Sequence, residues 1–164
     1  MTPTPLPDLD LERYLGTWFE IGRLPMKYED NATDVTATYR LEDGEIVVDN
    51  RSRDENNEPV QALGRAKVGE GPAQLKVSFL PEGLRWIPFT EADYWVLQID
   101  PDYQHALVGT PDHKFLWLLA RTPTMEVDVQ EEYLAHARDE GYDLADWIRT
   151  AQSGNHVTDE MLDD

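Results

Sequence analysis

Apolar and polar side chains alternate with a period of two through most of the chain from Gly16 to Thr122, in short runs broken by turn residues. That period puts successive side chains on opposite faces of an extended chain, so each run predicts a half-buried strand. The runs are Trp18–Leu24, Val35–Leu41, Glu45–Arg51, Val60–Val68, Gln74–Leu80, Asp93–Ile99, His105–Gly109 and Phe115–Arg121. Eight such strands in succession predict an all-β fold, an eight-stranded antiparallel up-and-down β-barrel.

The connections alternate in character, which an up-and-down barrel converts into two unlike ends. Glu42-Asp43-Gly44, Gly69-Glu70-Gly71-Pro72 and Asp100-Pro101-Asp102 are compact turn sequences and mark a closed end. Residues 25–34, 54–59, 81–92 and 110–114 are mostly longer and frame an open mouth. After Arg121 the apolar spacing becomes helical over Val127–Glu140, with Gly141 as the stop. This C-terminal α-helix is expected on the outside of the barrel, capped by Thr124, with Tyr133, Leu134 and Ala137 against the wall. Tyr142–Ile148 adds a turn or a strand. Residues 1–9 are expected to form a flexible N-terminal segment, 10–150 the single folded domain, and 151–164 a mobile acidic tail.

Period two also selects the side chains that point inward. They are Val35, Ala37 and Tyr39; Ile46, Val48 and Asn50; Leu75, Val77 and Phe79; Tyr94, Val96 and Gln98; and Phe115, Trp117 and Leu119. These sets are apolar and aromatic with three polar handles, Tyr39, Asn50 and Gln98, the composition of a ligand pocket. An eight-stranded interior is just wide enough to be filled by side chains or to hold one ligand, so a filled core remains the other reading. Leu84-Arg85-Trp86-Ile87-Pro88-Phe89 places large apolar groups on a loop that no strand pattern claims. That loop is either a lid or membrane-touching rim containing Trp86, or a segment folded over the barrel.

Composition narrows the function classes. At 164 residues, with 40% apolar content, the chain supports one core. A formal charge of −19 argues against nucleic acid as a partner, because that binding needs clustered Lys and Arg. Residues 125–164 hold 12 acids and 2 bases, against 21 and 12 in residues 1–124, so the excess is densest toward the C-terminus. Without cysteine there are no disulfides, thiolate nucleophiles or Cys-ligated metals. The four histidines are scattered, serine occurs only at Ser52, Ser78 and Ser153, and no catalytic or phosphate-binding motif is present. Neither catalytic residues nor a metal or other cofactor are expected. The start of the sequence carries no signal peptide and no lipidation cysteine, so a soluble chain is expected, cytoplasmic unless a leader has been removed.

Gly16-Thr17-Trp18, on the first strand after a short helical stretch, resembles the opening signature of the lipocalins. The similarity continues through Val35-Thr36-Ala37-Thr38-Tyr39, Leu75–Phe79, Tyr94–Leu97, Asp102–Val108 and Leu116–Pro123, in order and at family spacing. It is greatest toward bacterial lipocalins of the outer-membrane type, with apolipoprotein D and plant temperature-induced lipocalins as relatives. The resemblance implies that Gly16, Trp18 and Arg121 form a structural signature at the closed end. It further implies a lipid-class ligand, a fatty acid or lysophospholipid, held inside the barrel without catalysis. An enzyme or pigment binder on the same barrel, and an interaction protein with a filled barrel, stand as the alternatives; oligomeric state is left open.

Overall fold

The computed structural model describes residues 2–26, 31–79 and 91–162, apart from the side chains of Phe79 and Glu91. Its elements are α1 (Leu11–Tyr14), β1 (Gly16–Arg23), β2 (Thr33–Glu42), β3 (Glu45–Arg53), β4 (Pro59–Val68), β5 (Gln74–Phe79), β6 (Glu91–Ile99), β7 (His105–Gly109) and β8 (Leu116–Ala120). These are followed by α2 (Val127–Asp139), β9 (Ile148–Arg149) and α3 (Asp159–Leu162). Each strand from β2 to β8 pairs antiparallel with the next, and β1 pairs with both β8 and β2, so the sheet closes into an eight-stranded barrel. The short β9 adds to β1 on the outside.

Closure separates the apolar residues into two cores. The inner one contains Tyr14, Trp18, Tyr39, Ile46, Val48, Val77, Val96, Val108 and Leu119. The outer one packs Ile21, Leu97, Leu107, Leu116 and Leu118 beneath Tyr133, Ala137 and Tyr142 of the helical segment. Strands β7 and β8 are buried on both faces, which is why His105–Gly109 and Leu116–Ala120 read as continuous apolar runs rather than alternating ones. The phenol of Tyr142 donates to the Thr110 carbonyl (2.7 Å). It reaches that carbonyl across Gly109, where an added Cβ would collide with the hydroxyl.

Three local expectations are corrected. The N-cap of α2 is Glu126, without a side-chain cap, while the Thr124 carbonyl accepts from the Thr122 hydroxyl (2.9 Å). In β6 an irregularity lies between Val96 and Gln98: Val96 pairs with the inward Val108, but Gln98 pairs with the outward Leu107. One extra residue in the strand reverses the alternation beyond it, so Gln98 faces outward and Ile99 takes the inward position. The chain ends are also anchored. Leu6 donates to the Val96 carbonyl (2.9 Å), and Leu9 is buried in the inner core.

The acidic tail is docked through both side chains and backbone. Gln152 donates to the carbonyls of Glu20 (2.9 Å) and Val35 (3.0 Å), and the Ser153 hydroxyl donates to Asp34 (2.8 Å). Arg53 donates to the Asn155 carbonyl (2.9 Å) and Arg51 to that of Val157 (3.3 Å) and to Asp159 (2.6 Å). Arg51 also holds Asp49, which Arg40 and Gln61 contact too. Burial pushes the Asp49 carboxyl up, but these donors outweigh it and its pKa lies below the usual carboxylate value. Composition alone made 151–164 a solvated tail, because it shows neither the arginines waiting on β3 nor the burial of Val157.

The docked tail leads to a stability prediction. Val157→Asp, at a side chain 2% exposed, lowers the thermal midpoint by several degrees, at about 2–4 °C per kcal/mol for a chain of this size. Val127→Asp, at 60% exposure, leaves it nearly unchanged. Equal midpoints for both variants in calorimetry would show that the tail does not pack on the barrel.

Candidate ligand site

The closed end is built by α1 and by the cation stacked on its neighbour. Asp10 caps α1 by accepting from the Arg13 amide (3.4 Å), and the helix carries Tyr14 into the barrel floor. Trp18, fully buried on β1, donates its indole N–H to the Tyr14 carbonyl (2.8 Å). The Arg121 guanidinium lies 3.7 Å over the Trp18 ring. It donates to the carbonyls of Arg13 (2.7 Å), Thr17 (3.1 Å) and Tyr103 (3.1 Å). Such a shielded cation–π contact contributes roughly 1–2 kcal/mol, and the hydrogen bonds tie three chain segments together. Gly16, at φ 102°, leaves room for this arrangement; a Cβ there would sit 3.3 Å from Arg121 Nη1.

Above this plug an aromatic ladder climbs the lumen. Tyr14 packs against Trp18 (5.2 Å between centroids) and Tyr39 (5.4 Å), and Tyr39 against Tyr94 (6.0 Å). Trp117 stacks on Tyr94 (5.9 Å) and Phe115 on Trp117 (6.2 Å) toward the mouth. The three phenols are hydrogen-bonded: Tyr39 donates to Tyr94 (2.6 Å), and a hydrogen bond joins the hydroxyls of Tyr14 and Tyr94 (2.9 Å). Burial raises all three pKa values, that of Tyr39 to about 12, so the hydroxyls stay protonated at neutral pH.

Exposure grades along the barrel axis. Ile46, Val48, Leu75, Val77 and Val96 are buried, whereas Val35, Ala37, Asn50, Tyr94, Phe115 and Trp117 are only half-buried. A side chain turned inward in a closed barrel can meet solvent only in the lumen or at the mouth. The floor is therefore filled, and solvent reaches the inward side chains toward the mouth. Paired positions confirm which side chains share the inner face: Ala37 lies opposite Asn50, Tyr39 opposite Val48, and Leu75 opposite Tyr94. Val35 lies at the mouth end of β2, beside a register irregularity, and Phe115 immediately precedes β8.

Of the described candidate site residues, only Gln98 leaves the inner face. The Phe79 side chain, Trp86 and the whole loop 84–89 lie outside the described residues. Several lumen residues had not been singled out: Ala62, Gly64 and Ala66 of β4, opposite Asn50, Val48 and Ile46, and Ala106 and Val108 of β7. Ala62-x-Gly64-x-Ala66 was visible as small residues at period two. It provides space rather than contacts, so a search for large apolar side chains passes over it. At the mouth, Asp34 is turned outward to Ser153 and is no rim acid.

A lipocalin-like family model matches residues 9–152. This chain belongs to the lipocalin family. It is 42% identical to temperature-induced lipocalin-1 of Arabidopsis thaliana over 150 residues, covering 88% of this chain and 80% of that one. It is 40% identical to the outer membrane lipoprotein Blc of Escherichia coli K12 over 152 residues, 90% and 82% of the two chains. Among solved structures it resembles the cockroach allergen Per a 4 (TM-score 0.70, 18% identity, 93% and 94% covered). It also resembles lobster apocrustacyanin A1 (TM-score 0.68, 13% identity, 87% and 79% covered). Lipocalins bind small hydrophobic ligands and are generally not enzymes.

Two predictions separate plug from lumen. Trp18→Ala and Arg121→Ala lower the thermal midpoint while leaving the affinity of the folded fraction for an apolar fluorescent probe nearly unchanged. Wild-type stability with lost binding would place the plug in the site instead. In the lumen, Trp117→Ala weakens probe binding several-fold, because it deletes a large inward surface. Trp95→Ala, which packs in the outer core, has a smaller effect in the same titration.

Proposed function

We propose that this lipocalin binds and carries a lipid-class molecule, a fatty acid or lysophospholipid, with its chain in the lumen. The observation that carries this reading is the graded interior: a sealed aromatic floor below half-exposed Ala37, Asn50, Tyr94, Phe115 and Trp117. Each methylene moved from water into that apolar space contributes about 0.8 kcal/mol, enough for micromolar affinity from a long chain after association costs. The site asks for no chemistry at the ligand. Relatives named as outer membrane lipoproteins support a place in the cell envelope, and no helix among the described residues is long and apolar enough to cross a membrane. Membrane contact through residues 84–89 belongs to the same proposal.

Charge at the mouth supports a zwitterionic headgroup. The described rim carries Asp54, Glu55, Glu58 and Asp112 against Arg53 and Lys114, and Arg53 is engaged by the carbonyls of Asn57 and Asn155. Hydrogen bonds from Thr110 and the Lys114 amide outweigh burial and hold the Asp112 carboxyl below its ordinary pKa, so it is anionic at neutral pH. A fatty carboxylate meets repulsion there, whereas a choline or ethanolamine group brings a cation. In competition titrations, a lysophospholipid binds more tightly than a fatty acid of equal chain length, by a margin that shrinks as salt rises. Tighter fatty acid binding at both low and high salt would show that one well-placed base outweighs the rim.

A further inference from the structure

The barrel wall is split in its mouth-side half, and the segment after α2 fills the split. Strands β1 and β2 are paired from Gly16 to Phe19 against Tyr39 to Thr36. Beyond Phe19 both strands bond residues 148–153 instead of each other. On the β1 side, Arg23 and Gly22 pair with Ile148 and Arg149, and the Thr150 amide donates to the Ile21 carbonyl (3.0 Å). On the β2 side, the Asp34 amide donates to the Ala151 carbonyl (2.8 Å), and the Asp34 carboxylate accepts from the Ser153 amide (2.7 Å) and hydroxyl (2.8 Å). The Gln152 side chain spans the split, donating to the carbonyls of Glu20 (2.9 Å) and Val35 (3.0 Å).

Three features make this strap the part of the wall that opens most readily. Strands β3 and β4 share eight paired positions, whereas the strap shares two with β1 and, among the described residues, one backbone bond with β2. A segment held by few backbone bonds opens locally well before the fold does. Beneath the strap lie the Glu20 carboxylate and the Arg23 guanidinium, bridged by the Thr150 hydroxyl, and Gln152 Oε1 is buried without a hydrogen-bond donor among the described residues. Water reaching these groups offsets part of the bonding lost on opening. A cavity of about 280 Å³ lies on the outer side of the strap, between Ile21, Met125, Gln130, Arg149 and Gln152, and gives it space to move into.

We propose that residues 148–153 are a side gate of the lumen: the strap swings off the seam, an apolar chain passes between β1 and β2, and the strap closes behind it. The passage leads to half-buried Trp117, which lies opposite Arg23. This rests on the lumen being the ligand site and adds the route into it. A gate speeds entry and exit together and leaves the equilibrium between them unchanged. A wall residue that touches the ligand changes exit and affinity together.

The test follows the apolar fluorescent probe phenylnaphthylamine as it binds and leaves the full chain in stopped-flow mixing. Gln152→Ala removes both side-chain bonds across the split and raises the association and dissociation rates together, about three- to tenfold, with Kd within about twofold of wild type. Asp159→Ala loosens the tail where it meets Arg51, away from the seam, and leaves both rates unchanged. Ser153→Ala keeps its amide bond to Asp34, gives a smaller rise in both rates, and carries the test alone if Gln152→Ala does not fold. Rates unchanged in the seam variants show entry through the mouth and overturn the gate. So do a faster dissociation matched by an equal loss of affinity, and an equal rise of both rates in Asp159→Ala. In each of these cases probe binding to wild type still supports the lumen as the site. If the probe does not bind wild type, binding in the lumen fails, and the gate with it.

Discussion

Strand β1 has to pair on both edges for the molecule to have an interior at all. Its first half meets β2 from Gly16 to Phe19, and its second half meets β8 from Phe19 to Arg23. Phe19 is the crossover where it changes partners. The change works because the closed end is pinned by Trp18, which cannot leave the floor without uncovering the Arg121 guanidinium and breaking its bond to the Tyr14 carbonyl. A sheet left open there would expose two edges and drain both cores into solvent. The inner and outer packing are therefore consequences of one seam.

The same seam explains the chain ends. Strand β1 also carries Glu20 and Arg23, opposite the inner-face Leu119 and Trp117 of β8, as an ion pair 2.8 Å apart and almost wholly buried. Such a pair needs a cover that also supplies hydrogen bonds, because burial alone would cost more than the attraction returns. The tail provides it: Thr150 accepts from Arg23 and donates to Glu20, and Gln152 reaches the Glu20 carbonyl. What composition presents as surplus charge at the C-terminus is partly a strap over the barrel seam, held by the side chains of Thr150, Gln152 and Ser153 and by the carbonyls of Ala151, Asn155 and Val157.

Function follows from where this closure leaves room. The floor is filled by large aromatics, and small residues, Ala62, Gly64 and Ala66 of β4, lie opposite Asn50, Val48 and Ile46 on the inner face. Tyr94 lies at the boundary, bonded downward to buried phenols and stacked upward on Trp117. A barrel of this size lets side-chain size at a few inward positions decide between core and pocket.

Much of this was legible in the sequence because strands follow a strict period of two. Alternation located eight strands to within a few residues and chose the inner face correctly at Ala37, Tyr39, Val48, Tyr94 and Trp117. Gly16, Trp18 and Arg121 stood out as a family signature, although the 3.7 Å stacking that unites them spans more than a hundred residues of chain. Tertiary structure alone decided the rest. The irregularity at Leu97 turned Gln98 outward, since hydrogen-bonded register depends on the partner strand and not on the pattern of one strand. The docking of residues 151–162 depended on Arg51 and Arg53 of a distant strand, and the union of Tyr14, Tyr39 and Tyr94 on closure of the barrel. Local periodicity records which side of a strand a residue takes; which residues then meet is fixed only when the sheet closes.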